Sequence, residues 1–224
     1  MDGWEEIPVA SEIKKSIRAV VKKLALNNIY LEHWTPPELD LSEAFRVCNQ
    51  LTAFNFVYSQ PTDFDTAKKT FPVIFKEATQ GEKELRNISN LSQFLTTLLN
   101  PTLKGYFEIL TQRDRLINQM DRALEPWDVW LCPVAMTAAF THRPKGEFIA
   151  IEGRKVPYFL ANGAYTMLFN LTGHPVVVIP IGQTDNGLPI GMQIVGKRWK
   201  EMELLAIAQQ INQIAGSFQS PPGY

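Results

Sequence analysis

The sequence predicts an α/β fold, a mixed β-sheet flanked by helices, with a helical middle region. Three observations carry that prediction. Segments with helical and strand periodicity alternate at both ends of the chain, which is the grammar of α/β proteins. Val176-Val177-Val178-Ile179 is a β-branched run set between Pro175 and Pro180, a pattern that suits a strand covered on both faces. Between about residues 41 and 125 the apolar residues keep helical spacing and no strand alternation interrupts them.

The elements follow in order. Ser11 is placed to cap a helix whose apolar stripe is Ile13, Ile17, Val20, Val21 and Leu24, with Lys14, Lys15, Arg18, Lys22 and Lys23 on the other side. Asn27 and Asn28 end it. Ile29 to Trp34 reads as a short strand stopped by Pro36-Pro37. Helices are expected at Leu41 to Tyr58, at Thr62 to Ala78 with a break near Pro72, at about Asn90 to Leu99, and at about Thr102 to Leu124. In the last of these, Phe107, Leu110, Leu116, Ile117 and Met120 supply the apolar face. Asp128 to Pro133 has the composition of a buried strand. Phe148 to Ile151 and Lys155-Val156 form a hairpin around Glu152-Gly153. A helix is expected from Tyr158 to Leu171, then the β-branched strand, then the Asp185-Asn186-Gly187 turn. Ile190, Met192 and Ile194 alternate in the next strand. The final helix, about Lys200 to Ala215, carries Leu204, Leu205, Ala208, Ile211 and Ala215 on one side and stops at Gly216.

The length of 224 residues, 45% hydrophobic and 20% charged, fits a single domain over 1–224 with a sizeable core. A net charge of -1 gives no electrostatic footprint for nucleic acid or an anionic membrane. Cys48 and Cys132 are far apart and make no disulfide framework. The opening Met1 to Glu6 lacks the basic and apolar regions of a signal peptide, and no apolar run is long enough to span a bilayer. The expected location is therefore the cytoplasm, where the sequons at Asn87, Asn90 and Asn170 carry no meaning.

Two ordered motifs carry a family resemblance. Asn170 to Gly182 reads N-x-T-G-x-P, an apolar strand and P-x-G; Gly187 to Gly196 reads G-L-P-x-G-x-Q-x-x-G. With the Glu201 to Leu205 helix start and the aromatic-Asp-strand-Pro element from Trp127 to Pro133, this resembles the C-terminal part of the amidase-signature family. The turn chemistry is physically sensible by itself. Gly173 lets the chain leave a helix left-handed, and Gly191 allows close backbone approach inside a strand.

The resemblance implies hydrolysis of amide carbon–nitrogen bonds. In that family a serine attacks, a second serine preceded by a cis peptide relays its proton, and a buried lysine is the base. A serine hydroxyl is a poor nucleophile without such a base, and the oxyanion needs backbone N–H donors nearby. The family provides these through a Gly-Gly-Ser-Ser-Gly-Gly type loop and an upstream lysine. This sequence holds no Gly-Gly and no Ser-Ser pair, and its Gly216-Ser217 follows the last helix. The expectation is a C-terminal portion whose N-terminal catalytic segment is absent, with no catalytic residue of its own and inactive alone.

Substitutes are weak. Ser11 and Lys14 have Ser-x-x-Lys spacing but are explained by capping and a solvated face. There is no G-x-S-x-G elbow and no H-E-x-x-H, and His33, His142 and His174 are far apart in sequence. Cys132 reads as a small core residue. No cofactor and no metal are expected, since the family's chemistry needs only water and side chains. Val134, Ala135, Met136, Tyr165 and Asn170 are the candidates for a substrate-pocket wall, against the simpler reading that they pack. Arg113 and Arg115 suit a solvated helix face, although charged residues there bind a substrate carboxylate in some relatives. A sheet cut on one side leaves an open edge. The expected partners are an N-terminal amidase half, a second copy in a homo-oligomer, or a chaperone, with a small amide substrate only when complemented. The competing reading is a non-catalytic binding or scaffold protein, or a remnant, on the amidase scaffold.

Overall fold

The computed structural model describes residues 7–34, 36, 39–59, 95–97, 100–142 and 147–216. Six helices and five strands with assigned bounds lie in these residues: α1 (Ser11–Leu26), α2 (Leu41–Ser59), α3 (Leu103–Leu124), β1 (Trp130–Pro133), β2 (Ile149–Ile151), β3 (Arg154–Val156), α4 (Tyr158–Gly163), α5 (Met167–Thr172), β4 (Val176–Gln183), β5 (Pro189–Val195) and α6 (Glu201–Ala215). The architecture is α/β. The helices expected at Thr62 to Ala78 and about Asn90 to Leu99 fall mostly outside the described residues, with 95–97 alone helical in the second.

A three-stranded sheet in the order β1-β5-β4 is the centre of the fold. Both pairings are antiparallel, with Trp130 opposite Val195 and Val176 opposite the same Val195 from the other side. The alternation in β5 does what period-two patterning requires: Ile190, Met192 and Ile194 are buried. Helices α1 and α6 pack on each other and on β4, while α5 packs with α2 and α3. Phe169 of α5 reaches the sheet by meeting Trp130 edge-on at 5.7 Å. One contiguous cluster of buried apolar side chains joins these layers.

Several local expectations hold, each for its stated reason. The stripe Ile13, Ile17, Val20 and Leu24 is buried. The helix expected from about Thr102 begins at Leu103, and Thr102 proves to be its cap, a role the sequence reading did not assign, its Oγ1 accepting from the Gly105 N–H at 3.0 Å. The β2–β3 hairpin turns through Glu152 (φ 49°) and Gly153 (φ 76°), the left-handed pair that a two-residue turn needs. Gly173 ends α5 with φ 73°.

Four expectations are corrected. Ser11 is not the cap of α1: Ala10 holds that position, and the Ser11 N–H donates to Glu152 Oε1 at 2.7 Å. The hairpin turn supplies the acceptor that a side-chain cap would have given. Ile29 to Trp34 forms no strand and lies outside both sheets. Its aromatic residues pack on Trp127 and Trp130 by their side chains, and β-propensity alone does not make a ladder. The helix expected from Tyr158 to Leu171 is broken into α4 and α5 at Ala164 to Thr166, where the Tyr165 carbonyl is bonded from the sheet. Finally, Val176 to Ile179 is not covered on both faces. It lies in β4, an edge strand of the described sheet, and Val178 is 53% exposed.

Gly191 sits where β5 is squeezed between its neighbours: a Cβ there would lie 3.1 Å from Val178 Cγ1 and 3.3 Å from Val134 Cγ2. Gly191→Ala is therefore expected to destabilise the chain by about 1–2 kcal/mol, overpacking outweighing the gain from a stiffer unfolded chain. Urea denaturation followed by circular dichroism measures this; an unshifted midpoint would mean that the sheet opens at no cost.

Candidate functional site

The motif G-x-Q-x-x-G puts one polar side chain, Gln193, at the centre of β5. Gln193 is 2% exposed. Its side-chain amide donates to the Pro133 carbonyl at 2.7 Å and to the Tyr165 carbonyl at 2.8 Å. Both N–H groups of one –NH₂ are thus consumed by two buried acceptors, which also fixes the orientation of the amide. Cys132 Sγ lies 3.6 Å from the same nitrogen. Burial pushes the Cys132 thiol up to about 12, so it is a neutral core group and not a nucleophile, as its place in an apolar strand implied.

The five residues singled out as pocket-wall candidates fall around this bridge. The chain leaves β1 at Pro133 and passes through Val134 and Ala135, both half-buried, to Met136, which is fully buried. Met136 is clamped on both sides: its N–H donates to the Ala161 carbonyl of α4 at 3.2 Å, and its carbonyl accepts from the Ala10 N–H at 2.8 Å. Tyr165 is also fully buried, its carbonyl held by Gln193. Asn170 stands apart on the exposed side of α5. The structure therefore gathers Val134, Ala135, Met136 and Tyr165 around β5 and α4, and leaves Val134, Ala135 and Asn170 accessible.

A second polar cluster lies at the α5–β4 turn. Thr172 gives its hydroxyl proton to the Leu168 carbonyl at 2.9 Å, so it accepts from His174 Nδ1–H at 2.9 Å. His174 Nε2 is left 3.3 Å from Asp121 Oδ1, within ion-pair range but without an aligned hydrogen bond. Arg198 forks onto Asp121, with Nε 2.9 Å from Oδ1 and its second nitrogen on Oδ2. The short His174–Asp121 distance argues for a charged imidazole; the burial of the ring argues against it. Burial dominates, because the side chain is 0% exposed and the Arg198 charge opposes protonation, so His174 is held down to about 4 against the pull of Asp121. Asp121 is held below the usual carboxylate range, first by the hydrogen bond from Arg198.

The remaining candidates separate. Among the described residues no three His, Cys, Asp or Glu side chains converge as metal ligands would. Ser11 is engaged through its backbone by Glu152. Arg113 donates from Nε to the Leu171 carbonyl at 3.1 Å, capping α5, while Arg115 is exposed. Two groups escaped the reading of the sequence: the Gln193 bridge and the Asp121–Arg198 fork. The first had a signal, a glutamine amid the apolar residues of a buried strand. The second joins positions 77 residues apart and had none. No described helix is long and apolar enough to cross a membrane.

Two outcomes are expected. Gln193→Leu strands two buried carbonyls and lowers stability by about 2–6 kcal/mol, at about 1–3 kcal/mol for each unpaired group. Chemical denaturation reads the loss, and Gln193→Glu should not restore it because a carboxylate has no donor. The second concerns acid. A folded-state pKa below the unfolded one gives stability that is full above the ordinary histidine value and is lost as pH falls through about 4 for His174. Asp121 acts with the same sign at lower pH. The unfolding free energy should fall between pH 7 and 4, and His174→Gln should flatten that slope; an equally steep slope in the variant would remove His174 as its cause.

Comparison with known proteins gives these arrangements a context. The family model described as Amidase matches residues 2–205. A glutamyl-tRNA(Gln) amidotransferase subunit from Chromobacterium violaceum is 37% identical over 108 residues, 48% of this chain and 21% of that protein. The protein of the same description from Acinetobacter baylyi is 33% identical over 114 residues, 49% of this chain and 22% of its own length. Among solved structures, an amidase superposes with a TM-score of 0.66 at 20% identity, covering 93% of this chain and 43% of that one. A bacterial aryl acylamidase of the amidase-signature family gives 0.65 at 19% identity, over 93% and 41%. At that identity the likeness is one of fold. The chain spans about two-fifths of the solved structures, and its aligned stretch is about a fifth of the curated relatives. With the family model matched from residue 2 to residue 205, the chain belongs to the amidase family.

Proposed function

We propose that this chain is the C-terminal portion, a single domain part, of a hydrolase of amide carbon–nitrogen bonds, contributing scaffold and pocket wall and not the nucleophile. The observation that carries the reading is the family match over residues 2–205 in a sequence with no Ser-Ser and no Gly-Gly pair. Acyl transfer from an amide needs an activated nucleophile and preorganised oxyanion donors. In the described residues the obvious substitutes are spent: Cys132 is a buried neutral thiol, and His174 is a buried neutral ring bound to Thr172.

On this reading the pocket wall runs along Val134 and Ala135, backed by Met136 and Tyr165, with Asn170 at the rim. Gln193 holds that wall in register by fixing Pro133 and Tyr165. The two serines and the lysine come from an N-terminal amidase portion, which covers the open β1 edge of the described sheet; a second copy of the chain is the other candidate for that edge. The amidotransferase relatives are described as subunits, which supports a partnered state. We place the protein in the cytoplasm, with a small amide as substrate of the completed site. The competing reading is a non-catalytic binding or scaffold protein, favoured by the same lack of a serine pair.

The test is direct. The purified chain should neither hydrolyse simple amides nor react with a serine-directed fluorophosphonate. Mixed with the N-terminal portion of a family member that carries the Gly-Gly-Ser-Ser-Gly-Gly loop, it should form a complex by light scattering and gain hydrolysis. Stoichiometric serine labelling of this chain alone would overturn the proposal; a complex that forms without any activity would favour the scaffold reading.

A further inference from the structure

At the start of β1, away from the wall described above, residues 30–34 and 127–131 face each other across a cleft of about 210 Å³. Ile17 and Val21 of α1 also line it. Four aromatic rings line the rest. Tyr30 stacks on Trp127 with centroids 6.0 Å apart and planes 4° from parallel. Trp34 leans on Trp127 at 6.1 Å and 44°, and meets Trp130 edge-on at 5.9 Å and 67°. Trp130 is anchored in turn on Phe169. These rings hold one another and need no occupant to set their positions, so the cleft is preformed, unlike a bare face awaiting cover.

Its charges are asymmetric. Glu32 lines the cleft with an exposed carboxylate that accepts from the Tyr30 hydroxyl at 3.2 Å. One such bond leaves most of the carboxylate's acceptor capacity unused. Arg18 and His33 also line the space, and both are engaged in interactions of their own. Aromatic faces carry negative potential and attract a cation, and the nearby carboxylate adds to that attraction. A ligand carboxylate would meet the Glu32 carboxylate and the indole faces as repulsion, offset only by an Arg18 guanidinium that is already engaged. The volume admits a single ring with a short arm.

We propose that this cleft is a binding site for a small aromatic ammonium compound, its ring against the Trp34 and Trp127 indoles and its ammonium group at Glu32. The site shares no residue with the pocket wall, although Trp130 and Leu131 belong to β1, whose open edge the N-terminal portion covers in the reading above; the proposal therefore concerns the chain by itself.

Tryptophan fluorescence of the full chain tests it, with benzylammonium, benzoate and toluene as probes and light scattering to follow the oligomeric state. Benzylammonium should give a saturable change, with benzoate giving none over the same range. Glu32→Gln, an exposed change that leaves the fold alone, should weaken benzylammonium roughly two- to fivefold, as the loss of an exposed ion pair worth about 0.5–1 kcal/mol requires. It should leave toluene unaffected. Trp34→Leu should abolish the saturable response while circular dichroism stays unchanged. Equal binding of benzoate, an unaltered affinity in Glu32→Gln, or no saturable response to benzylammonium would each overturn the proposal. So would a fluorescence change that tracks self-association, which would assign the aromatic cleft to contact between copies of the chain.

Discussion

Two hydrogen bonds from one side chain tie the architecture together. The Gln193 amide reaches the carbonyls of Pro133 and Tyr165, which belong to different segments of the chain, and it does so where water is excluded. In such a place an unpaired carbonyl costs more than an ordinary hydrogen bond returns, so the constraint runs in all three directions at once. The end of β1 has to arrive at β5. The helical stretch after residue 158 has to open at Tyr165 to present its carbonyl. The alternation of β5 has to put a polar residue on the face where those carbonyls meet. The departure of Val134 to Met136 and the start of α5 both follow from where this bridge holds the chain.

Much of this was legible in the residues. The apolar stripe of α1, the Glu152-Gly153 turn and the left-handed exit at Gly173 were readable because each rests on neighbours in sequence. Two of the errors have the opposite property. Ser11 has the chemistry of a cap, but an acceptor 141 residues away took its N–H. Ile29 to Trp34 has the composition of a strand, but its large side chains found partners in Trp127 and Trp130 and its backbone joined no sheet. The segment from Tyr158 to Leu171 carries Asn162-Gly163 just before its break, a local turn signal that the helical reading overlooks, and the Gln193 bond to the Tyr165 carbonyl holds the opened chain in place. The wall candidates were placed from a resemblance, and of them Asn170 lies on the exposed side of α5. For Ser11 and for Ile29 to Trp34 a local preference yielded to a tertiary interaction, which is the usual limit of propensity.

Membership of the amidase family rests here on features of scaffold. What the 224 residues preserve from the family is turn and packing chemistry: prolines that bracket a strand, glycines where the backbone must approach or reverse, a glutamine that closes a buried network. Such features shape and support a reaction centre without entering its chemistry. Among the described residues, Cys132 and His174 are kept neutral by burial.

The contacts of α1 bear on the order in which the chain is made. Its first N–H is bonded by Glu152, and near its other end Lys23 donates to the Ala215 carbonyl, 192 residues later. The helix is therefore synthesised long before the residues that fix its two ends. Its apolar stripe must stay uncommitted while those later segments emerge from the ribosome, at about 5–20 residues per second. Closure at such separation makes for slow, late consolidation. During translation the nascent α1 is a hydrophobic surface in waiting, and whatever shields it in that interval is as much a part of this protein's biology as the fold it finally joins.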